Sequence, residues 1–465
     1  MLLYDYQQAC LDEIRESYRS GAKAPLLVSP TGSGKTVMFA SICKGAAARG
    51  NRVMILVHRQ ELIDQVSHTL TEFKVGHGII APQYPRYANQ PVQVASVFSL
   101  VRRLAQTPVP DLIVIDEAHH AILRSSWGAC ISAFPRSRLL GVTATPCRLS
   151  GEGLGDIFDR LVVGPSVERL IGEGRLSKVR VFAPPTIDAS SVHHSMGDFK
   201  KSELDALVDK PKITGDAIEH YQKITPGQRA AVFCVSLAHA SVVTAAANAA
   251  GIKAVQIDGT TDRSYRREVV KDFQNGIIQW LVTVDLISEG FDCPGIEVGI
   301  SLRPTESLGL WLQQCGRCLR VAPRKVHATI LDHAGNSLRH GLPTEERFWS
   351  LEGSRKPAAE RERALSVRVC PRCFAAARRG PTACTNCGHT YDVEPRTVGK
   401  VAGELKELTA AELAERKARA RERSQVGQTA TLASLIELGR IRGYNSPERW
   451  AAYVLAGRDK KRAAR

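Results

Sequence analysis

Apolar residues in this chain gather into short runs of about three to six positions with few polar interruptions, rather than alternating singly with polar ones. Such runs, rich in Val, Ile and Leu, read as strands buried on both faces, as parallel sheets require. In the first 150 residues they fall at 26–28, 53–57, 92–97, 112–115 and 139–142. Helical patterning fills the gaps. One amphipathic helix opens at Tyr4-Asp5-Tyr6-Gln7-Gln8 and runs through Ile14 and Tyr18; another starts from Val37. The alternation resumes after residue 210, with strands expected at 231–235, 254–257, 280–284, 298–302 and 328–331. Repeated strand–helix alternation implies parallel sheets joined by crossover helices. The expected fold class is α/β, with two tandem parallel-sheet lobes.

Each strand of the first lobe ends in polar residues, so one sheet edge collects Lys35, Arg59, Ser96, Asp116 and Thr143. The carboxyl edge of an open α/β sheet is where ligands bind. The run 112–115 leads into Asp116-Glu117-Ala118-His119-His120. An Asp there can hold Mg²⁺ on a nucleotide, and the adjacent Glu can orient or deprotonate a water. About eighty residues upstream, a strand enters Ser29-Pro30-Thr31-Gly32-Ser33-Gly34-Lys35-Thr36 and then a helix. Glycines let backbone N–H groups face phosphates, and the helix start favours an anion. Lys35 can reach the β- and γ-phosphates, and Thr36 can ligate Mg²⁺. Gln7 could read an adenine edge, or serve only as a polar residue at a helix start.

These stretches resemble superfamily 2 helicases. Ser29 through Thr36 resembles that superfamily's motif I, including its non-glycine first position. Asp116-Glu117-Ala118-His119 spells its motif II, and Thr143-Ala144-Thr145 resembles motif III. The resemblance implies two RecA-like lobes, with ATP and Mg²⁺ bound between them. It places His58, Arg59, Ser96, Thr143 and Thr283 against a nucleic-acid backbone, and Gln7 on adenine. In the second lobe, Thr283-Val284-Asp285 through Ser288-Glu289-Gly290-Phe291-Asp292 resembles motif V. Gly290 would allow close backbone approach, and Asp292 would face the ribose. Gln313-Gln314-Cys315-Gly316-Arg317-Cys318-Leu319-Arg320 resembles motif VI. Arg317 and Arg320 would be arginine fingers, worth roughly 10³–10⁵ in rate in well-studied NTPases. Arg303-Pro304-Thr305-Glu306-Ser307 and Leu331-Asp332-His333-Ala334-Gly335-Asn336 are similar to the RadD-type bacterial DNA-repair ATPases and related phage helicases. Cys315 and Cys318 interleave with the expected fingers, where a metal would block the nucleotide.

Composition adds a partner and a metal. The chain has 465 residues and a net charge of +16, which suggests a polyanionic partner. From 366 to 465 there are 20 Lys+Arg against 10 Asp+Glu, so most of the surplus lies in the last fifth. No apolar run is long enough to span a membrane, and the first residues lack a signal-peptide pattern. A cytoplasmic protein of a bacterial or phage-infected cell is expected. Of the 12 cysteines, four are paired at metal-ligand spacing: Cys370 and Cys373, then ten residues on Cys384 and Cys387. Four thiolates so spaced suit tetrahedral Zn²⁺ in a ribbon. With Arg372, Arg378 and Arg379 nearby, the ribbon could touch nucleic acid or serve structure and protein docking. Thr409-Ala410-Ala411-Glu412 matches a capping box opening a charged helix. Two more helices follow, in which Tyr444, Trp450 and Tyr453 could stack bases or form a hairpin core. The last residues, from Lys460, read as a disordered basic tail.

The expected organisation is a nucleotide lobe at 1–180, a connector at 181–210, a second lobe at 211–345, a charged linker at 346–365, a zinc ribbon at 366–393 and a basic helical tail at 394–465. The expected activity is a nucleic-acid-stimulated ATPase that translocates on or unwinds its substrate. DNA is favoured over RNA, in repair, recombination or replication, and repair or replication proteins could dock through the ribbon or tail. Three alternatives stand: an RNA helicase, a restriction-type motor subunit, and a nucleotide-gated repair adaptor that does not unwind.

Overall fold

The computed structural model describes residues 3–85, 87–148, 150–183, 194–195, 198–199, 211–284, 293, 295–323, 325–353, 367–391 and 431–463. The first sheet contains β1 (Pro25–Val28), β2 (Val53–Val57), β3 (His77–Ile80), β4 (Val92–Ser96), β5 (Leu112–Asp116), β6 (Arg138–Thr143) and β7 (Arg160–Val163). All are parallel, in the order β3-β4-β2-β5-β6-β1-β7. Both faces are covered, which explains the apolar runs. Val53, Ile55 and Val57 of β2 pack with Phe39 and Leu70 on one face. Met54 and Leu56 pack with Trp127 and Phe158 on the other. The strand order sets β5, β6 and β1 side by side, so their carboxyl ends meet at one point.

The second sheet begins earlier than expected. β8 (Lys178–Phe182) straddles the anticipated end of the first lobe, yet it pairs in parallel with a strand almost 150 residues later. A two-strand hairpin follows in the connector, β9 (His194–Ser195) and β10 (Asp198–Phe199). The second lobe's own parallel strands are β11 (Ala230–Phe233), β12 (Ala254–Ile257), β13 (Trp280–Thr283), β14 (Val298–Ser301) and β15 (His327–Asp332). The cysteine-rich segment supplies β16 (Val367–Val369) and β17 (Ala375–Arg378). The eight-stranded order is β12-β13-β11-β14-β15-β8-β17-β16. β17 runs antiparallel to β8, with Ala375 opposite Phe182 and Ala376 opposite Val181. The ribbon is therefore the edge of the second sheet and not a separate bead.

Two further expectations change. The charged linker at 346–365 is, in its described part, pinned to the first lobe. Leu351 is buried in that lobe's core, Gly155 N donates to Leu351 O at 2.9 Å, and Glu152 bridges to Gly353. Its charged remainder lies outside the described residues, as do most of the connector and the helix expected from Thr409. In the tail, Leu432–Ile441 and Pro447–Ala463 form a helical hairpin. Its second helix continues through Lys460, Lys461 and Arg462, where the basic composition suggests a disordered end. Leu435 and Ala451 are buried in it, and Tyr444, 37% exposed, meets Trp450 edge-on at 5.0 Å. Tyr453 is 81% exposed. No helix among the described residues is long and apolar enough to cross a membrane.

Candidate active site

The glycine loop leaves β1 and enters the helix Lys35–Ala47. Gly32 and Gly34 hold φ of +89° and +79°, a region L side chains rarely adopt, which is why the turn needs glycine there. Gly34 also has no room for a side chain, since a Cβ would sit 2.4 Å from Gln7 Nε2. Ser29 takes the position of the usual first glycine and ties the two ends of the loop together. Its hydroxyl donates to Ser33 Oγ at 2.7 Å, with both residues buried. Tyr6 OH and Gln7 Nε2 both donate to Ser33 O, at 2.9 and 3.1 Å. Gln7 Oε1 accepts from Tyr4 N at 3.0 Å, closing the helix start. Gln7 thus braces the loop and caps its own helix.

Lys35 Nζ folds back to donate to Ser29 O at 3.2 Å and Pro30 O at 3.4 Å. Burial pushes its ammonium below the ordinary lysine range, Glu117 and Asp116 pull it back up, and Arg317 and Arg320 push it down. Five charges from both lobes thus converge on one cleft. Asp116 ends β5, and burial beside Glu117 pushes its carboxyl up to about 7. Two adjacent carboxylates interacting with each other and with Lys35 form a donor set suited to a hard divalent cation. Glu117 holds φ +50° and ψ +53°, a left-handed backbone uncommon outside glycine.

His119 joins three motifs. Its Nδ1 lies 3.0 Å from Thr143 Oγ1 and its Nε2 3.3 Å from Gln313 Nε2. Thr143 Oγ1 donates to Thr145 O at 2.9 Å, so Nδ1 must carry the proton and Nε2 must accept from Gln313. The second lobe is thereby wired to the carboxyl ends of β5 and β6. Gln313 lies on the helix Leu308–Cys318, which spans the cleft. At its start, a Cβ on Gly309 would lie 2.9 Å from Thr145 Oγ1; near its end, one on Gly316 would lie 2.5 Å from Thr31 Cβ. Arg317 is buried, and burial lowers the Arg320 guanidinium. Lys325 staples the end of this helix by donating to Cys318 O, to Arg320 O at 2.8 Å and to Ile296 O at 2.7 Å.

The residues expected on a nucleic-acid backbone divide. His58 and Arg59 are half-buried at the end of β2, with the His58 ring 4.3 Å from that of His120. Ser96 is half-buried where β4 turns into a short helix. Thr143 and Thr283 are 0% and 1% exposed, so neither presents a surface to a polymer in this arrangement. Thr143 works inward, as the acceptor for His119. Gly290 and Asp292 lie outside the described residues. Sequence reading gave no role to Tyr6, to Gln313, or to the ion pair across the lobes between Arg266 and Glu61 at 2.5 Å. The first two sit inside quoted motifs, so their position was visible; the pair is 205 residues apart and carried no signal.

The four ribbon sulfurs lie within 4.8 Å of one another. Cys370 Sγ is 3.7 Å from Cys387 Sγ, and Cys373 Sγ is 3.7 Å from Cys384 Sγ. A tetrahedron with metal–sulfur bonds of about 2.3 Å has edges of about 3.8 Å, so the set fits one metal ion.

Comparison with known proteins agrees with this geometry. Residues 1–148 match the family described as "Type III restriction enzyme, res subunit", and residues 209–322 match "Helicase conserved C-terminal domain". A 51.5 kDa protein of a Lactococcus phage is 36% identical over 373 residues, 80% of this chain and 79% of that one. A Saccharomyces cerevisiae protein assigned as an ATP-dependent helicase, IRC3, is 29% identical over 72% of this chain, which spans 52% of its length. Among solved structures, a fragment assigned as the HsdR subunit of a type I restriction enzyme from Vibrio vulnificus YJ016 superposes with a TM-score of 0.58. It is 23% identical and covers 73% of this chain and 66% of its own, which speaks to fold alone. With both lobes matched in order and the phage relative aligned along four-fifths of each chain, the protein belongs to superfamily 2 of the helicases, the nucleic-acid-dependent ATPases its motifs announced.

Proposed function

We propose that this chain is a DNA-stimulated ATPase that moves along or opens DNA by closing its two lobes on ATP. The observation that carries the reading is the convergence of Lys35, Asp116, Glu117, Arg317 and Arg320 on one cleft between the lobes. Thr31 through Thr36 would cradle the phosphates, with Lys35 swinging from its loop carbonyls to the β- and γ-oxygens. Thr36 and Asp116 would hold Mg²⁺, which supplies neutralisation of phosphate charge when bound. Glu117 would orient and deprotonate the attacking water. Arg317 and Arg320 would stabilise charge on the transferring phosphoryl group once the helix Leu308–Cys318 is seated. Gln7 would hold the loop's shape and offer its remaining N–H to the base. The four ribbon thiolates would hold Zn²⁺.

DNA is preferred as the track because the first lobe matches a restriction-enzyme subunit family, and because a net charge of +16 suits a polyanion. A role in repair, recombination or replication in a bacterial or phage-infected cell follows from that preference and from the phage relative. Contacts to the phosphate backbone carry no sequence information, so low sequence specificity and a steep fall in affinity with salt are expected.

The test is steady-state hydrolysis with no polymer, single-stranded DNA, forked DNA and single-stranded RNA. Stimulation by DNA that Glu117→Gln reduces by about 10²-fold or more supports the reading. Stimulation by RNA alone transfers it to an RNA helicase. Failure of every polymer to stimulate refutes the motor and leaves a nucleotide-gated adaptor. Retained ATP binding by Lys35→Ala would remove the phosphate-loop assignment.

A further inference from the structure

The connector hairpin makes one set of contacts that neither the motifs nor the family matches assign. Asp198, on β10, reaches the loop before the cleft-spanning helix. Its Oδ2 accepts from Thr305 Oγ1 at 2.9 Å and its Oδ1 from Glu306 N at 2.7 Å. The Arg303 guanidinium lies 3.7 Å away, and the Asp198 side chain is 15% exposed. Further bonds to this loop come from within the second lobe. Thr305 N donates to Asn336 Oδ1 at 3.0 Å, His340 Nε2 donates to Thr305 O at 2.8 Å, and Arg339 pairs with Glu306 at 2.9 Å. Thr305 Oγ1 then accepts from Ser307 N at 3.0 Å, and Ser307 Oγ caps the helix by accepting from Leu310 N at 3.2 Å. A relay of short bonds thus runs from the connector to the first turn of the helix that carries Gln313 and Arg317.

We propose that Asp198 is a positioning residue for ATP hydrolysis: it clamps the connector to residues 305 and 306 and so fixes the register of the helix Leu308–Cys318 across the cleft. The inference rests on the proposed motor reading. The relay is held in place because its central members are buried. Thr305, Ser307 and Asn336 are 0%, 5% and 0% exposed. Losing the carboxylate leaves Thr305 Oγ1 and Glu306 N to find other partners, and the helix start is free to shift. Gly309 then leaves Thr145, Gln313 leaves His119, and Arg317 moves with them.

The experiment uses the full chain with Asp198→Ala, Asp198→Asn, Thr305→Val and the Asp198→Ala/Thr305→Val pair. The expected result is a fall of about tenfold in DNA-stimulated kcat for Asp198→Ala, a fraction of the ~10²-fold that a 1 Å misplacement brings. The KM for ATP and the binding of a fluorescent ATP analogue should stay within twofold, because the phosphate loop is untouched. Asp198→Asn keeps one acceptor and should recover part of the loss. Thr305→Val should act on the same relay, so the double variant should lose no more than the worse single one. Asp198→Ala with kcat within twofold of wild type overturns the proposal. So do additive losses in the double variant, or weakened analogue binding in step with kcat, which would mark general unfolding. No DNA stimulation in the wild type overturns the motor reading and this inference together; normal wild-type stimulation with an unaffected Asp198→Ala overturns this inference alone.

Discussion

Gly316→Ala probes whether the cleft closes as described. The new Cβ would stand 2.5 Å from Thr31 Cβ and 3.1 Å from both Thr31 Oγ1 and Cγ2. Carbon–carbon contacts relax at about 3.5–4.0 Å, so helix and loop must part by about 1 Å. Thr31 cannot yield cheaply, because the offended atom is its Cβ and the loop is braced through Ser33 by Tyr6 and Gln7. The helix therefore moves, and Arg317 and Arg320 move with it. A 1 Å misplacement of catalytic groups costs on the order of 10²-fold, or about 2.7 kcal/mol of barrier. Alanine is the better helix former by about 0.8–1 kcal/mol, so the second lobe should not lose stability of its own. The assay pairs DNA-stimulated kcat with thermal unfolding. The expected outcome is kcat down about a hundredfold with Tm unchanged or slightly raised. A kcat within threefold of wild type would show that the Gly316–Thr31 contact is no part of the active state.

Two other perturbations test the second lobe. Stripping the metal proposed for the ribbon with a chelator should release β17 from β8 and expose a sheet edge. If only a quarter of the ~10–16 kcal/mol with which finger peptides bind zinc reaches the lobe, it loses roughly 3 kcal/mol, or about 6–12 °C in Tm; an unchanged Tm after verified metal release would refute this. His333 is buried against the His220 ring at 5.2 Å, and burial, with that neighbour, lowers it to about 3. Above about pH 6.5 it is neutral folded or unfolded and adds no pH dependence. As pH falls from 6.5 towards 3, the unfolded chain takes up a proton that the folded one refuses, so stability falls. Between pH 6.5 and 5 this amounts to about 2 kcal/mol, read by urea unfolding, and His333→Phe should remove that part of the slope.

Much of the architecture was legible because burial on both faces leaves a plain trace. The run at 53–57 coincides with β2 to the residue, and all five of its residues are buried. The glycine loop and Asp116-Glu117 were legible for a different reason: phosphate and cation chemistry admits few residue types. What escaped was set by distant partners. β3, β7 and β8 are short and only partly buried, His77–Ile80 holding one buried residue in four, so no apolar run announced them. That Leu351 would sit in the first lobe's core, or that β17 would join β8, depends on pairings more than 190 residues apart. Thr143 read as a surface contact because strand ends in such sheets are usually open; here His119 and Thr145 occupy the space around it.

The early position of β8 bears on how the chain can be made. Synthesis finishes Phe182 long before His327, the start of the strand that β8 must pair with. At about 5–20 residues per second, that strand stands without its neighbour for roughly 7–30 s. The first lobe waits as well, because Leu351 completes its core from beyond the second. The first lobe's core is completed by chain made beyond the second lobe, and the second sheet by β8, made before that lobe, so the nascent protein carries both an unfinished core and an unpaired strand until residues 327–378 emerge. A ribosome stalled between residues 182 and 327 would hold an unpaired β-edge, the form in which this protein is most open to aggregation or to a chaperone.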